Sequence, residues 1–394
     1  MSNKALIIGG GIAGPAMALF LKKIGIEAEI FEANEATFSI GAGLSLAPNG
    51  VYVLAELGLA SKAIEGGSVA AHGIFKNAKG NRLAKFKFSN ADKYKYPSVN
   101  IKRATLNNIM LDELEKQNIS IHFNKKLQNI SQTEHEVTAT FEDGTDAIGS
   151  FLVGADGVRS IARNFVLDTS LKPDFTGVIG SGGFVDKNKI PKLTQSDSDD
   201  INFIYGKNGF FGYTGVNVNE LMWWTNIMAD KPYTKEEQMH FDKEAERKSL
   251  FNQYSTYTFP ITDIINNSSN FLRLNVFDVQ FLPRWFNENV IVIGDAAHAV
   301  SPNSGQGASM ALEDAMLLAK LIRDENNLET AFSTFENMRR PRVEKIVLEG
   351  RKRGSDKVIV SAFQQKVREL MIRIFVNAFA EKGNHWLFDY KIKW

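Results

Sequence analysis

The chain has 394 residues with 46 basic and 45 acidic side chains, and its net charge of +1 gives no global field favouring nucleic acid or a strongly acidic partner. A hydrophobic fraction of 44% and a charged fraction of 23% belong to a globular protein long enough for two domains. The lack of cysteine excludes disulfides, thiolate metal sites, a cysteine-linked flavin and a redox dithiol, and no stretch reaches the roughly 18 apolar residues of a membrane-spanning helix.

The first element is an apolar strand, Ala5-Leu6-Ile7-Ile8, which runs directly into Gly9-Gly10-Gly11-Ile12-Ala13-Gly14. A helix to about Leu21 and a second strand over residues 28–31 follow, and that strand ends at Glu32 and Ala33. Gly9 permits the tight turn, Gly11 lets backbone approach a pyrophosphate, and Gly14 lets the helix pack closely on the strand. The helix N-terminus offers free N–H groups to phosphates, and Glu32 is placed to accept hydrogen bonds from a ribose. This start looks superficially like a signal peptide, but the glycine motif makes it a dinucleotide-binding element. A cysteine-free chain without a leader is expected in the cytoplasm.

Residues 42–66 hold Gly43, a Pro48-Asn49-Gly50 turn and an amphipathic helix around Val51 to Gly58. Residues 67–100 are lysine-rich with apolar positions at Phe75, Leu83, Phe86 and Phe88, the pattern of short antiparallel strands. Another apolar strand, over residues 151–154, leads into Asp156-Gly157, with Arg159 and Arg163 close behind. Residues 168–270 carry strand signals and the aromatics Phe203, Tyr205, Phe210, Phe211, Tyr213, Trp223 and Trp224, while the run over residues 196–200 predicts a solvated loop. A buried strand then ends in Gly294-Asp295, followed by His298, Pro302, Gly305, Gly307 and a helix over about 308–322. The tail from about 346 to 381 reads as helical, with a solvated basic face that includes Arg351 and Lys352.

These three motifs, in this order and spacing, resemble the class A flavoprotein monooxygenases, the family of para-hydroxybenzoate, salicylate and urate hydroxylases and of tetracycline-degrading monooxygenases. The resemblance runs from the first strand to the segment holding Phe335, Arg339, Pro341 and Arg342. It implies an α/β fold with a Rossmann-like parallel FAD-binding sheet built from 1–66, 101–167 and 271–345. Interleaved with it is a mixed β-sheet substrate domain from 67–100 and 168–270, and a helical segment, 346–394, follows. It also implies FAD as cofactor, NAD(P)H as a transiently bound co-substrate, O2, and an aromatic or polycyclic small-molecule substrate oxygenated through a flavin C4a-hydroperoxide.

Within that resemblance Asp295 is expected to hold flavin ribitol hydroxyls, with a plain helix cap as its alternative. Gly305 and Gly307 are expected to aim N–H groups at the flavin pyrimidine edge. Gly43 and Arg103 are expected at the cofactor, Leu127 near adenine, and Asp156 either at the cofactor or in an ordinary turn. His298 is either a general base or a neutral packing residue beside the flavin, and Pro302 shapes the wall by the reactive ring edge. Tyr213 either orients a substrate hydroxyl or belongs to the core.

No arginine occurs between Arg163 and Arg247, which favours a larger neutral or antibiotic-like polycycle over a benzoate. Lys207 is the substitute anchor if the substrate is a small anionic aromatic. Other readings are a related flavoprotein reductase or halogenase and a non-catalytic flavin-binding protein. Met222-Trp223-Trp224-Thr225-Asn226-Ile227 departs from the halogenase Trp-x-Trp-x-Ile-Pro motif.

Overall fold

The computed structural model describes residues 4–35, 42–88, 91–355 and 361–394, and their side chains except at 353–355 and 377–382. The first strand, Lys4–Ile8, is buried on both faces, as its unbroken apolar run requires in a parallel sheet. It lies between Phe151–Gly154 and Glu27–Phe31 in a six-stranded sheet. Ser120–His122 closes one edge, and Val290–Val292 with Phe286–Asn287 closes the other. Only the Phe286–Asn287 pairing is antiparallel. The helices Ala13–Lys23 and Gly307–Asp324 pack against each other over this sheet and bury Met17, Phe20, Met310 and Leu318.

The second large sheet has seven strands, ordered Asn270–Asp278, Asp174–Asp186, Glu220–Met228, Gly209–Gly215, Ile201–Gly206, His72–Asn77 and Arg82–Lys87. Its pairings are antiparallel except where Ile201–Gly206 meets His72–Asn77. Phe211, Tyr213 and Trp223 point to one face, where Lys243–Tyr254 and Ile261–Asn267 cover them in a second core. Side-chain alternation sends Met222, Trp224 and Asn226 to the opposite face, toward the six-stranded sheet. A small sheet of Gly43–Leu46, Val99–Lys102 and Ser68–Val69 bridges the two.

Three regions differ from the sequence expectation. Residues 195–199 form the helical turn Gln195–Asp199, started by a Thr194 capping box, and Ser198 and Asp200 are buried rather than solvated. Asn270–Asp278 pairs with Asp174–Asp186, so this stretch extends the seven-stranded sheet instead of returning to the parallel one. The tail is two helices, Leu328–Ser355 and Ala362–Phe388, and Arg351 of the first is paired with Asp278. Among the described residues no helix is long and apolar enough to cross a membrane.

Candidate active site

Gly9 has φ +111°, and a Cβ there would collide with the Ala155 carbonyl oxygen. A Cβ at Gly14 would collide with the Gly9 carbonyl oxygen. Both glycines therefore serve turn and helix packing. Gly11 instead opens onto a cavity, with the Arg103 guanidinium 3.5 Å from where its Cβ would lie. Arg103 begins the helix Arg103–Lys116, and its N–H donates to Ala42 O at 3.2 Å.

Glu32 braces the glycine turn from behind: its carboxylate accepts from Gly10 N at 2.6 Å and from Asn34 N at 2.9 Å. Asn107, with its amide oriented as its neighbours require, donates to the carbonyls of Gly10 at 3.2 Å and Gly11 at 2.8 Å. Ala33 is exposed beside Glu32. Leu127 is buried at the start of Leu127–Gln132, and just before it Lys125 N donates to Glu32 O at 2.8 Å. Asp156 caps the helix Ile161–Leu167, accepting from Ile161 N at 2.7 Å and Ala162 N at 3.1 Å. Burial pushes its carboxyl up, against the pull of these hydrogen bonds.

The opposite wall of the cavity carries Asp295, Pro302, Gly305 and Gly307. Among the described residues the Asp295 carboxylate has no hydrogen-bond donor, and the residue stays exposed on the cavity lining. Desolvation within the cavity raises its carboxyl, while Arg103 and His298 pull it back down. The short helix Pro302–Ser304 ends at Gly305, φ +62°, and Gly307–Asp324 begins with no side-chain cap. The helix Ala13–Lys23 is likewise uncapped. Two helix N-termini with free N–H groups, an unengaged carboxylate and the open face of Gly11 thus share one cavity. That donor set fits an extended dinucleotide with hydroxyls and a pyrophosphate. The cavity volume, about 1520 Å³, exceeds the roughly 300–1,000 Å³ of a pocket for one drug-sized ligand. It has room for a second molecule against the seven-stranded sheet.

Two side chains considered for catalysis lie away from this cavity. Tyr213 sits on the helix-covered face of its strand, where its hydroxyl donates to Asp197 Oδ1 at 3.1 Å. Burial and the Asp197 charge push its phenol well up. His298 turns behind the Asp295 turn, with Nε2 2.6 Å from Asp314 Oδ2 and its ring 5.2 Å from that of Trp285. Asp314 also accepts from Gly294 N and from Arg339 Nε, each at 2.8 Å. Burial alone would raise the Asp314 carboxyl, but His298 and Arg339 outweigh it and lower it. Glu313 accepts from Arg339, Arg342 and Asn49, and Asn49 also donates to Gln306 at 3.1 Å. This buried network ties the Asp295 turn to the Gly305–Gly307 turn.

Gly43 lines the cavity against Met222, which leaves no space for a side chain at 43. Lys207 is in an exposed turn and does not line it. On the sheet wall Asn226 Nδ2 is buried with no hydrogen-bond partner among the described residues. The sequence reading missed Asn226, although its place two residues beyond Trp224 gives it the same face once the strand phase is known.

The family described as FAD binding domain matches residues 2–349. The FAD-dependent urate hydroxylase of Klebsiella pneumoniae is 26% identical over 375 residues, spanning 93% of this chain and 94% of that one. The crystal structure of Klebsiella pneumoniae HpxO complexed with FAD and uric acid superposes with a TM-score of 0.85 at 24% identity, covering 96% of this chain and 95% of that chain. The tetracycline destructase Tet(51) superposes with a TM-score of 0.70 at 22% identity over 100% of both chains. A family match over residues 2–349, carried on a cradle whose open carboxylate and helix ends suit FAD, places this chain in the FAD binding domain family as a class A FAD-dependent monooxygenase.

Proposed function

We propose that this enzyme uses NAD(P)H and O2 to hydroxylate an electron-rich, neutral aromatic larger than a simple benzoate. One oxygen atom enters the product, the other leaves as water, and NAD(P)H supplies the two electrons. The observation that carries this reading is the sheet wall of the cavity, where Phe203, Met222, Trp224 and Leu274 share the lining with Asn226, whose Nδ2 has no hydrogen-bond partner among the described residues.

Bound FAD would supply the reductive activation of O2. Asp295 would accept hydrogen bonds from its hydroxyls, and the N-terminus of Gly307–Asp324 would stabilise negative charge at its pyrimidine edge. The Asn226 amide would orient a substrate carbonyl or hydroxyl, and the aromatic wall would keep water from the reacting carbon.

A second reading, an anionic aromatic acid, draws on Arg368, which reaches the cavity wall 5.7 Å from the Tyr205 ring. Turnover under ¹⁸O2 with neutral polycycles and with hydroxybenzoates separates the two. Incorporation of one labelled atom into a neutral product is expected. Tight coupling only with a benzoate would select the second reading, and NAD(P)H oxidation that no substrate stimulates would overturn both.

A further inference from the structure

The cavity does not end at the sheet wall. It continues past Trp224 to the edge strands His72–Asn77 and Arg82–Lys87, where Phe75, Phe86 and Phe88 form a half-buried aromatic row. Successive ring centroids along that row are 6.0 and 6.1 Å apart. The helix Ala362–Phe388 closes this extension from the other side. Its placement is fixed by Gln365, which donates to Tyr205 O at 3.1 Å, and by Glu369, which accepts from Asn77 at 3.3 Å.

From that anchored helix Val367, Met371 and Phe375, spaced by four residues and so on one flank, line the same space. They remain 46%, 47% and 50% exposed. Large apolar side chains held at this exposure along a cavity wall gain most when an apolar group lies against them. Arg103, Asp295 and Asn226 line the cavity too, and on the helix itself Arg368, next to Val367, holds its guanidinium 5.7 Å from the Tyr205 ring, a polar neighbour at the edge of the apolar flank.

We infer that this extension is a subsite for an alkyl or isoprenoid-like chain, so that the substrate is amphiphilic: an oxidisable aromatic head with an apolar tail lying between the phenylalanine row and the Val367–Met371–Phe375 flank. This deepens the proposed monooxygenase reading and rests on it for the identity of the head group. The occupant is the substrate rather than a second copy of the chain, because the apolar flank is continuous with the interior of the site.

The test reads binding without turnover, so it is independent of whether oxygen is inserted. Oxidised holoenzyme is titrated with 4-ethyl-, 4-butyl- and 4-hexylresorcinol and followed by flavin absorbance and fluorescence. Each added methylene should tighten binding about two- to fourfold, the increment for burying a CH2 group. In Met371→Glu and in Val367→Glu, with FAD content retained as the check of folding, the ethyl-to-hexyl gain should shrink to about twofold or less. Dissociation constants that do not depend on chain length, a gain that survives both substitutions, or no binding of any member would overturn the subsite. Self-association of the chain that Met371→Glu abolishes, without chain-length dependence, would reassign the flank to a second copy. Chain-length-dependent binding without ¹⁸O incorporation would keep the subsite and reject the monooxygenation of these head groups.

Discussion

His298 Nε2 and Asp314 Oδ2 lie 2.6 Å apart in a buried site behind the turn that presents Asp295. Nε2 faces the Asp314 carboxylate, which His298 and Arg339 hold below the ordinary aspartate range, and Nδ1 has no hydrogen-bond partner among the described residues. The buried ring packs against Trp285 and Asp314 and does not line the substrate cavity. His298→Gln should keep turnover within about tenfold of wild type, whereas loss of a general base removes about 10²–10⁴. Stopped-flow reduction and steady-state coupling decide between them, and a loss in the larger range with FAD bound would restore His298 to the chemistry.

Asp314→Ala has a different outcome, because it strands Arg339 and the Gly294 N–H in the interior. Breaking one partner of a buried ion pair costs about 3–5 kcal/mol, so the thermal midpoint should fall and FAD should be lost together with it. The pH sign follows from the lowered Asp314 carboxyl. Its stabilisation is present above the ordinary aspartate range and is lost as pH falls through the depressed folded value. Acid unfolding of the Asp314→Asn variant should therefore lack that step.

Gly11 and Gly14 separate binding from folding. Gly11 opens onto the cavity, so Gly11→Val should keep its thermal midpoint while losing FAD. At Gly14 the added Cβ collides with Gly9 O and sits 3.3 Å from Ile7, so Gly14→Ala should destabilise the fold by the roughly 1–3 kcal/mol of an overpacked site. Calorimetry beside FAD titration checks both. Normal FAD affinity in Gly11→Val would make that turn purely structural.

Asp295→Ala should weaken FAD binding by about 1–3 kcal/mol, the penalty for leaving ligand hydroxyls without an acceptor. Because desolvation within the cavity raises the Asp295 carboxyl, wild-type affinity should decline on acidification sooner than an ordinary aspartate would allow, as the acceptor becomes protonated. Asp295→Asn should flatten that decline. Equilibrium FAD titration across pH provides the comparison, and an unchanged profile would reduce Asp295 to a helix-end residue.

Asn226→Leu should move stability and function in opposite directions. Removing a buried amide whose Nδ2 is unpaired should raise the stability of the substrate-free protein by about 1 kcal/mol. The same change should increase peroxide released per NAD(P)H consumed, because substrate is no longer oriented. Unfolding curves and coupling ratios give the two readouts. Unaltered coupling would remove Asn226 from substrate recognition.

What the sequence disclosed follows the range of each physical cause. The roles of Gly9 and Gly14 are set by neighbours in one strand–turn–helix unit, so they could be read directly. The place of Asp295 on the cavity wall was legible because it follows an apolar strand. Tyr213 was not, because one step of strand alternation decides between cavity and covered face, and periodicity alone leaves that phase open. The partner of His298 lies 16 residues ahead on another helix, which only tertiary packing reveals. Residues 196–200 read as a polar loop until His72, Lys76 and Tyr213 supply partners to Asp197 and Asp200. Asn226 carries no motif at all, and only the phase of its strand reveals that it lines the cavity.

The seat of Gly9 against the Ala155 carbonyl has a consequence for how the chain matures. The strand before Gly9 is flanked by Phe151–Gly154, which is flanked in turn by Val290–Val292. Lys4 N reaches Ser150 Oγ across 146 positions. Such pairings close large loops before they return any contact energy, which makes their assembly slow. The dinucleotide turn therefore takes its final shape only once the strand at residues 151–154 has joined it and set the Ala155 carbonyl against Gly9.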